Sequence, residues 1–303
     1  MGWTARNIPD LVGRTAVVTG ANSGIGYVTA RELARHGARV VLACRDRVRG
    51  GAALRRLLDE LPEAEAELRL LDLAGLASVR SFAAELPGDR LDLLVNNAGL
   101  MAVPYSRTAD GFETQFGVNH LGHFALTGLL LDRLLATPGA RVVTVSSLAH
   151  ALSNIDLDDL GCERRYNPWV AYARSKTANL LFVHELARRT ARHGLVSAAA
   201  HPGYAATELQ ERGPRLAGRR GQVRVMRLLN RLVAASPDLG ATPVLYAATA
   251  PGVRPDSFTG PRVLGMRGGP APSWRASWTR DDTASALLWA ASERLTGVRY
   301  PLP

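Results

Sequence analysis

Apolar runs rich in valine and leucine alternate along the chain with stretches of helical period. TAVVTG (15–20), RVVLACR (39–45), AELRLLDL (66–73), LDLLVNN (91–97), RVVTVSS (141–147) and LVSAAAHP (195–202) are apolar almost throughout rather than at every second residue. Such strands are covered on both faces, which is the condition of a parallel sheet. Helical spacing fills 24–36, 46–61, 77–86, about 111–135 and about 168–192. Six β-α units in succession predict an α/β fold, a single doubly wound parallel sheet with helices on both faces. A seventh strand is expected within SFTGPRVLGM (257–266) and a last helix over DDTASALLWAASERL (281–295). With no linker-like run and no internal repeat, residues 1–303 are expected to form one domain.

Composition narrows the class. Hydrophobic residues at 47% and charged residues at 21% are ordinary for a soluble globular protein. The opening MGWTARNIPDLVGR has no apolar signal region, and nowhere do 18 or more apolar residues run together, so a cytoplasmic protein without an integral membrane segment is expected. Cys44 and Cys162 are too few for a disulfide framework and read as free thiols in a reducing compartment.

Lysine and arginine number 37 against 27 acidic residues, a net charge of +10, and all but one of the 37 are arginine. No basic stripe interleaved with aromatics, helix-turn-helix or zinc pattern accompanies that charge, so nucleic acid is not an expected partner. Half of the excess falls in 208–235, where seven arginines face two glutamates, and QVRVMRLLNRLV within it is an amphipathic basic pattern. Three readings of this segment compete: a substrate lid, an exposed face without function, and a contact with a membrane surface. Arginine in place of lysine also fits GC-rich coding, and with it a bacterial role in secondary metabolism.

In a doubly wound sheet the ligand lies beyond the carboxyl ends of the strands, and the distinctive residues gather there. After the first strand, TGANSGIG (19–26) runs into a helix, which makes it a Rossmann-type phosphate turn. Gly20 permits the tight turn, Gly24 and Gly26 remove side chains where backbone must approach phosphate, and Asn22, Ser23 and Ile25 complete the segment. The second strand ends in Arg45, where many dinucleotide folds carry an acidic residue. A guanidinium there suits the 2′-phosphate of NADP(H), which a carboxylate would repel. Asp72, followed by Leu73, ends the third strand and is placed either to accept from an adenine amino group or to cap a helix. Asn96-Asn97-Ala98-Gly99 ends the fourth, where the small Ala98 and Gly99 beside Asn97 let the chain pass close to a ribose.

TGANSGIG, Asn96-Asn97-Ala98-Gly99, VNH around Asn119, VSS (145–147), YARSK (172–176) and HPG (201–203) together resemble the short-chain dehydrogenase/reductase family. They occur in the family's order across residues 19–207. The 25 residues from Ser147 to Tyr172 include an insert similar to that of the branch containing retinol dehydrogenases, carbonyl reductases and protochlorophyllide reductases. The resemblance implies a catalytic set of Asn119, Ser147, Tyr172 and Lys176. In it Ser147 polarises the substrate oxygen, with Ser146 as the neighbouring alternative, and Asn119 holds a water that links Lys176 to solvent. It also places Pro202, Gly203 and Thr207 beside the nicotinamide.

Tyr172 and Lys176, four apart on an expected helix, share one face, and Lys176 is the chain's only lysine. An ammonium there, together with a charged nicotinamide ring, is expected to lower the phenol's pKa and also to reach ribose hydroxyls, for which a forked guanidinium is a poor substitute. The implied activity is NADP(H)-dependent hydride transfer between a carbonyl and an alcohol on a medium-sized, largely apolar small molecule. Net non-redox chemistry on the same fold, or a cofactor sensor, are the alternatives. His120 and His123 lack supporting ligand spacing, so no metal site is expected and a packed helix surface is the plain reading. His150 and His201 border the expected site and are candidates to touch substrate. Self-association through the helices at 111–135 and 168–192 stays open.

Overall fold

Alternate residues of each central strand belong to different cores, which is why the strands read as unbroken apolar runs. Ala16, Val18, Val40, Leu42, Val95 and Val143 face one core, while Val17, Val41, Leu94 and Val142 face the other. The structure is a computed structural model that describes residues 2–203 and 236–302. Its parallel strands are β1 (Thr15–Thr19), β2 (Arg39–Cys44), β3 (Ala66–Leu70), β4 (Leu93–Asn96), β5 (Arg141–Val145), β6 (Val196–Ala200) and β7 (Phe258–Val263). An eighth, β8 (Arg267–Pro272), returns antiparallel on β7, so the sheet runs β3-β2-β1-β4-β5-β6-β7-β8. This is one strand more than the seven expected. RGGPAP shows no apolar alternation, and it is tolerated as a strand because an outermost one can carry Pro270 and Pro272 without breaking a ladder.

Helices α1 (Gly24–Arg35), α2 (Arg47–Glu60) and α3 (Leu76–Glu85) follow the first three strands. The fourth helical stretch is not continuous as expected. It breaks into α4 (Thr114–Phe116), a π turn at Gly117–Leu121, α5 (Gly122–Leu129) and α6 (Leu131–Leu135). The buried carboxylate of Glu113 starts it, accepting from the Gln115 and Phe116 amides.

The long helix α7 (Pro168–Arg189) begins where Asn167 Oδ1 accepts from the amides of Trp169 and Val170 and Pro168 occupies the first turn. The insert ahead of it is pinned by Tyr166, whose hydroxyl donates to Val103 O at 2.7 Å and accepts from Gln115 Nε2 at 2.9 Å. Helices α8 (Pro237–Thr249) and α9 (Asp282–Thr296) close the two faces. Among the described residues, no helix is long and apolar enough to cross a membrane.

The order reverses between β1 and β4, so the glycine turn after β1 and the Asn97-Ala98-Gly99 turn after β4 open side by side. That switch point is where a doubly wound sheet binds its ligand.

Phe124 of α5 is 1% exposed and sits 5.1 Å from Trp289, 4.9 Å from Tyr300 and 5.8 Å from Phe182, centroid to centroid. Tyr300 returns a hydrogen bond from its hydroxyl to Phe124 O. Phe124→Ala should cost about 3–5 kcal/mol, read as a drop in the urea midpoint at constant slope.

Candidate active site

The carboxyl ends of β1, β2, β4 and β5 and the face of α7 enclose a cleft of about 400 Å³. Of the expected cofactor residues, Gly20, Asn22, Ser23, Gly24, Ile25, Gly26, Arg45, Asp72, Leu73, Asn97, Ala98, Gly99, Pro202 and Gly203 all line it. Thr207 and the basic segment 208–235 lie outside the described residues.

The glycine turn is held by Thr19. Its Oγ1 accepts from the amides of Asn97 and Ala98, both at 2.9 Å, and its carbonyl accepts from Asn97 Nδ2 at 2.7 Å. A methyl on Gly26 would sit 2.4 Å from Asn97 Nδ2 and 2.5 Å from Gly20 O, so the two turns can meet only if residue 26 has no side chain. Such a bare backbone at the start of α1 fits the pyrophosphate of a dinucleotide, whose charge the helix N-terminus favours.

Arg45 stands exposed at the end of β2, and Arg49, one turn into α2, lines the same cleft. Asp46 lies between them, but its Oδ1 is taken up in accepting from the Val48 and Arg49 amides. Sequence reasoning missed Arg49, although its four-residue spacing from Arg45 along the chain was there to be read. Asp72 turns its Oδ1 to the amide of Ala74 at 3.0 Å and is not the cap of α3, which is Gly75.

Ser147, Tyr172 and Lys176 line the cleft beside Val145 and Ser146. The Ser147 hydroxyl lies close enough to the Tyr172 phenol to pull its pKa down, and it accepts from the Ala149 amide at 3.1 Å. Ser146 is committed elsewhere, its hydroxyl donating to Lys176 O at 2.9 Å, which leaves Ser147 as the serine that meets the phenol. Lys176 Nζ donates to Val145 O at 3.0 Å and lies 5.7 Å from the centre of the Tyr172 ring.

Asn119, in the π turn, is fully buried. Its amide donates to Leu100 O and Ser175 Oγ, both at 2.9 Å, and its Oδ1 accepts from the Leu100 amide at 2.7 Å. A methyl on Gly99 would lie 3.1 Å from Asn119 Oδ1 and 3.7 Å from Lys176 Nζ, so this glycine keeps Asn119 and Lys176 close behind the ribose turn.

The electrostatics differ from the sequence expectation in one respect. Burial pushes the Tyr172 phenol up to about 12, and the neighbouring Ser147 hydroxyl pulls only partly the other way. Burial acts on Lys176 too, pushing it down to about 8. The protein by itself therefore keeps the phenol protonated.

His120 is buried on a packed helix face, with Nε2 2.8 Å from Ser292 Oγ, and burial depresses it to about 3. His123, also buried, donates from Nδ1 to Asn119 O at 3.1 Å, so its Nε2 accepts from Thr19 Oγ1 at 2.9 Å. Sequence reasoning missed this link, since a histidine in an apolar helix gives no sign of its partners. His150 and His201 do not line the cleft. Both ring nitrogens of each are consumed, His201 by the Gly203 amide and Ser273 Oγ, and His150 by Ser147 O and the Ala276 amide. Trp169, edge-on to Tyr172 at 6.4 Å, joins Leu100 and Met101 in an apolar wall that no motif announced.

Residues 14–215 match the family model of the short chain dehydrogenases. Retinol dehydrogenase 13 of Homo sapiens is 44% identical over 293 residues, covering 95% of this chain and 86% of its own. A crystal structure of an uncharacterized protein from Mycobacterium paratuberculosis superposes with a TM-score of 0.83 at 47% identity, covering all of both chains. The active-site complex of Pseudomonas aeruginosa RhlG with NADP superposes with a TM-score of 0.61 at 25% identity, over 80% of this chain and 92% of its own.

Because the Gly20 backbone crowds residue 26 together with the Asn97 amide, itself held by Thr19 O, Gly26→Ala should weaken dinucleotide binding at least about tenfold in a fluorescence titration. Gly75→Ala, with nothing within 4 Å of the added methyl, should leave the titration unchanged.

Proposed function

The chain belongs to the short-chain dehydrogenase family, and from that premise we propose that it is an NADP(H)-dependent oxidoreductase interconverting a carbonyl and an alcohol on a medium-sized, largely apolar substrate. One observation carries the reading. The Tyr172 phenol meets the Ser147 hydroxyl inside the cleft that also contains the glycine cradle, and the chain's only lysine is buried one turn further along the same helix.

When bound, the dinucleotide supplies or accepts a hydride at the nicotinamide. The residues of the chain manage the proton and the developing charge. Tyr172, kept protonated by its burial, donates to the substrate oxygen in reduction and takes that proton back in oxidation. Ser147, already fixed by the Ala149 amide, hydrogen-bonds the same oxygen and stabilises charge building there. Lys176, close to neutrality at about 8, holds ribose hydroxyls and exchanges a proton through the region of Asn119. Asn119, with both ends of its amide engaged, fixes the turn after β4 rather than the substrate.

The preference for NADP(H) rests on Arg45 and Arg49 at the β2 end, with the Asp46 carboxylate diverted into a helix cap. The bound NADP of the RhlG complex supports the same choice on a related fold. An apolar substrate follows from the wall of Leu100, Met101 and Trp169, and the likeness to a retinol dehydrogenase points the same way.

Loss of the near-ultraviolet absorbance of NADPH against a panel of apolar aldehydes and ketones tests the whole reading. Consumption equal to product formed is expected, and product without net consumption would instead mean non-redox chemistry. Arg45→Asp should lower kcat/KM with NADPH by about a hundredfold or more while leaving that with NADH within about threefold, and an unchanged ratio would remove Arg45 from the argument.

Tyr172→Phe should bind NADPH normally and lose at least about a hundredfold in kcat. The sign of the pH dependence follows from the phenol being raised to about 12. Its acid form dominates through neutrality, so carbonyl reduction should be flat from about pH 6 to about pH 8, whereas alcohol oxidation should climb with pH.

A further inference from the structure

His150 follows Ser147 by one turn of 3-10 helix and is fully buried, yet it lines no part of the cleft. Its two ring nitrogens face partners that fix its state. Nδ1 is 2.6 Å from Ser147 O, which can only accept, so Nδ1 carries the hydrogen. Nε2 is 3.1 Å from the Ala276 amide, which can only donate, so Nε2 is bare. The imidazole is thus held neutral in one tautomer, and burial favours the same neutral form.

The ring is also packed on both sides, tilted against Trp274 at 5.7 Å and edge-on to Phe258 at 5.6 Å. Its backbone carbonyl accepts from Thr177 Oγ1 at 3.1 Å, next to Lys176 on α7. Ser147 O accepts a second time from the His150 amide, so the ring and the amide of His150 converge on one carbonyl.

The far end of this link is anchored. Ala276 follows the buried Arg275, which is paired with Asp256 at 2.7 Å, and Asp256 in turn meets His184 on α7 at 2.9 Å. The ring therefore spans from a fixed segment of the C-terminal region to the peptide plane that sets the direction of the Ser147 side chain.

We propose that His150 is a positioning residue for Ser147, a strut that holds the serine carbonyl against the Ala276 amide and so keeps the Ser147 hydroxyl aimed at the phenol. This rests on the reading of Ser147 given above as the group that polarises the substrate oxygen. A strut of this kind acts only through Ser147, which separates it from a residue that merely fills the core.

The test is a double-mutant cycle on the full chain with NADPH and decanal, or whichever panel aldehyde the wild type reduces. Ser147→Ala alone should lower kcat, and wild-type turnover in that variant would sink the Ser147 reading and the strut with it. His150→Leu should lower kcat about ten- to a hundredfold with NADPH affinity unchanged, and should lower it no further when combined with Ser147→Ala.

His150→Asn, which can still donate to Ser147 O but cannot span to Ala276, should keep most of the loss while Ser147 is present and add none once Ser147 is alanine. It also carries the comparison should the leucine variant not fold. Equal losses with and without the serine hydroxyl, or full activity in both His150 variants, would overturn the proposal.

Discussion

The ammonium of Lys176 is buried at 4% residue exposure, and its named hydrogen bond is to a backbone carbonyl, Val145 O at 3.0 Å. Taking a charge out of water is costly, and the cost appears as a fall in the lysine's pKa to about 8. The surrounding backbone is arranged to make that burial tolerable. Val145 O ends β5 and also accepts from Asn179 Nδ2, Gly99 keeps its turn within reach of Nζ, and Ser146 ties the same strand end to Lys176 O. This explains why lysine persists in a chain that uses arginine everywhere else. A guanidinium, forked and effectively always charged, fits neither the space beside Gly99 nor a site whose cation must approach neutrality.

Around that cation runs a polar chain that joins elements far apart in sequence. The amides of Asn97 and Ala98 converge on Thr19 Oγ1, Thr19 passes its hydrogen to His123 Nε2, and His123 donates onward to Asn119 O. Asn119 then holds Leu100 and Ser175. The glycine turn and α7 are therefore registered against each other through neutral groups, each satisfied by one orientation of its neighbour. The π turn is what makes this possible. By adding a residue to the helical turn at 117–121 it re-aims Asn119 while α5 still presents Phe124 to the aromatic core.

What the sequence made legible was what local period and motif spacing encode. The first six strands and the glycine turn stand where valine runs and glycine spacing put them, Tyr172 and Lys176 share one helix at i, i+4, and Ser147, which the resemblance placed with them, lines the same cleft. β8 was not legible, because an edge strand made of Arg, Gly, Pro and Ala has neither alternation nor an apolar run to betray it. The break in the 111–135 helix was hidden too, since GVNHLG differs little in propensity from a weak helix and its distortion is decided by what Asn119 must reach. The upward shift of Tyr172 in the protein alone was hidden for a related reason. Spacing reveals that a cation is near, but only the packed structure reveals that both groups are buried and that burial is the largest influence on each.

The same distinction explains why the cofactor side of the site is easier to read than the substrate side. A pyrophosphate demands bare backbone at fixed offsets, and that demand leaves glycines in the sequence. An apolar substrate asks only for apolar surface, which any segment can supply. Here it comes from Leu100 and Met101 beyond the β4 turn and from Trp169, just past the insert that Tyr166 and Asn167 fasten down. A relative could change that wall without touching Ser147, Tyr172 or Lys176, provided the fastening stays. The two sides of the cleft are thus built on different physical demands: one on the area of apolar contact, the other on a buried charge and the hydrogen bonds that hold its neighbours still.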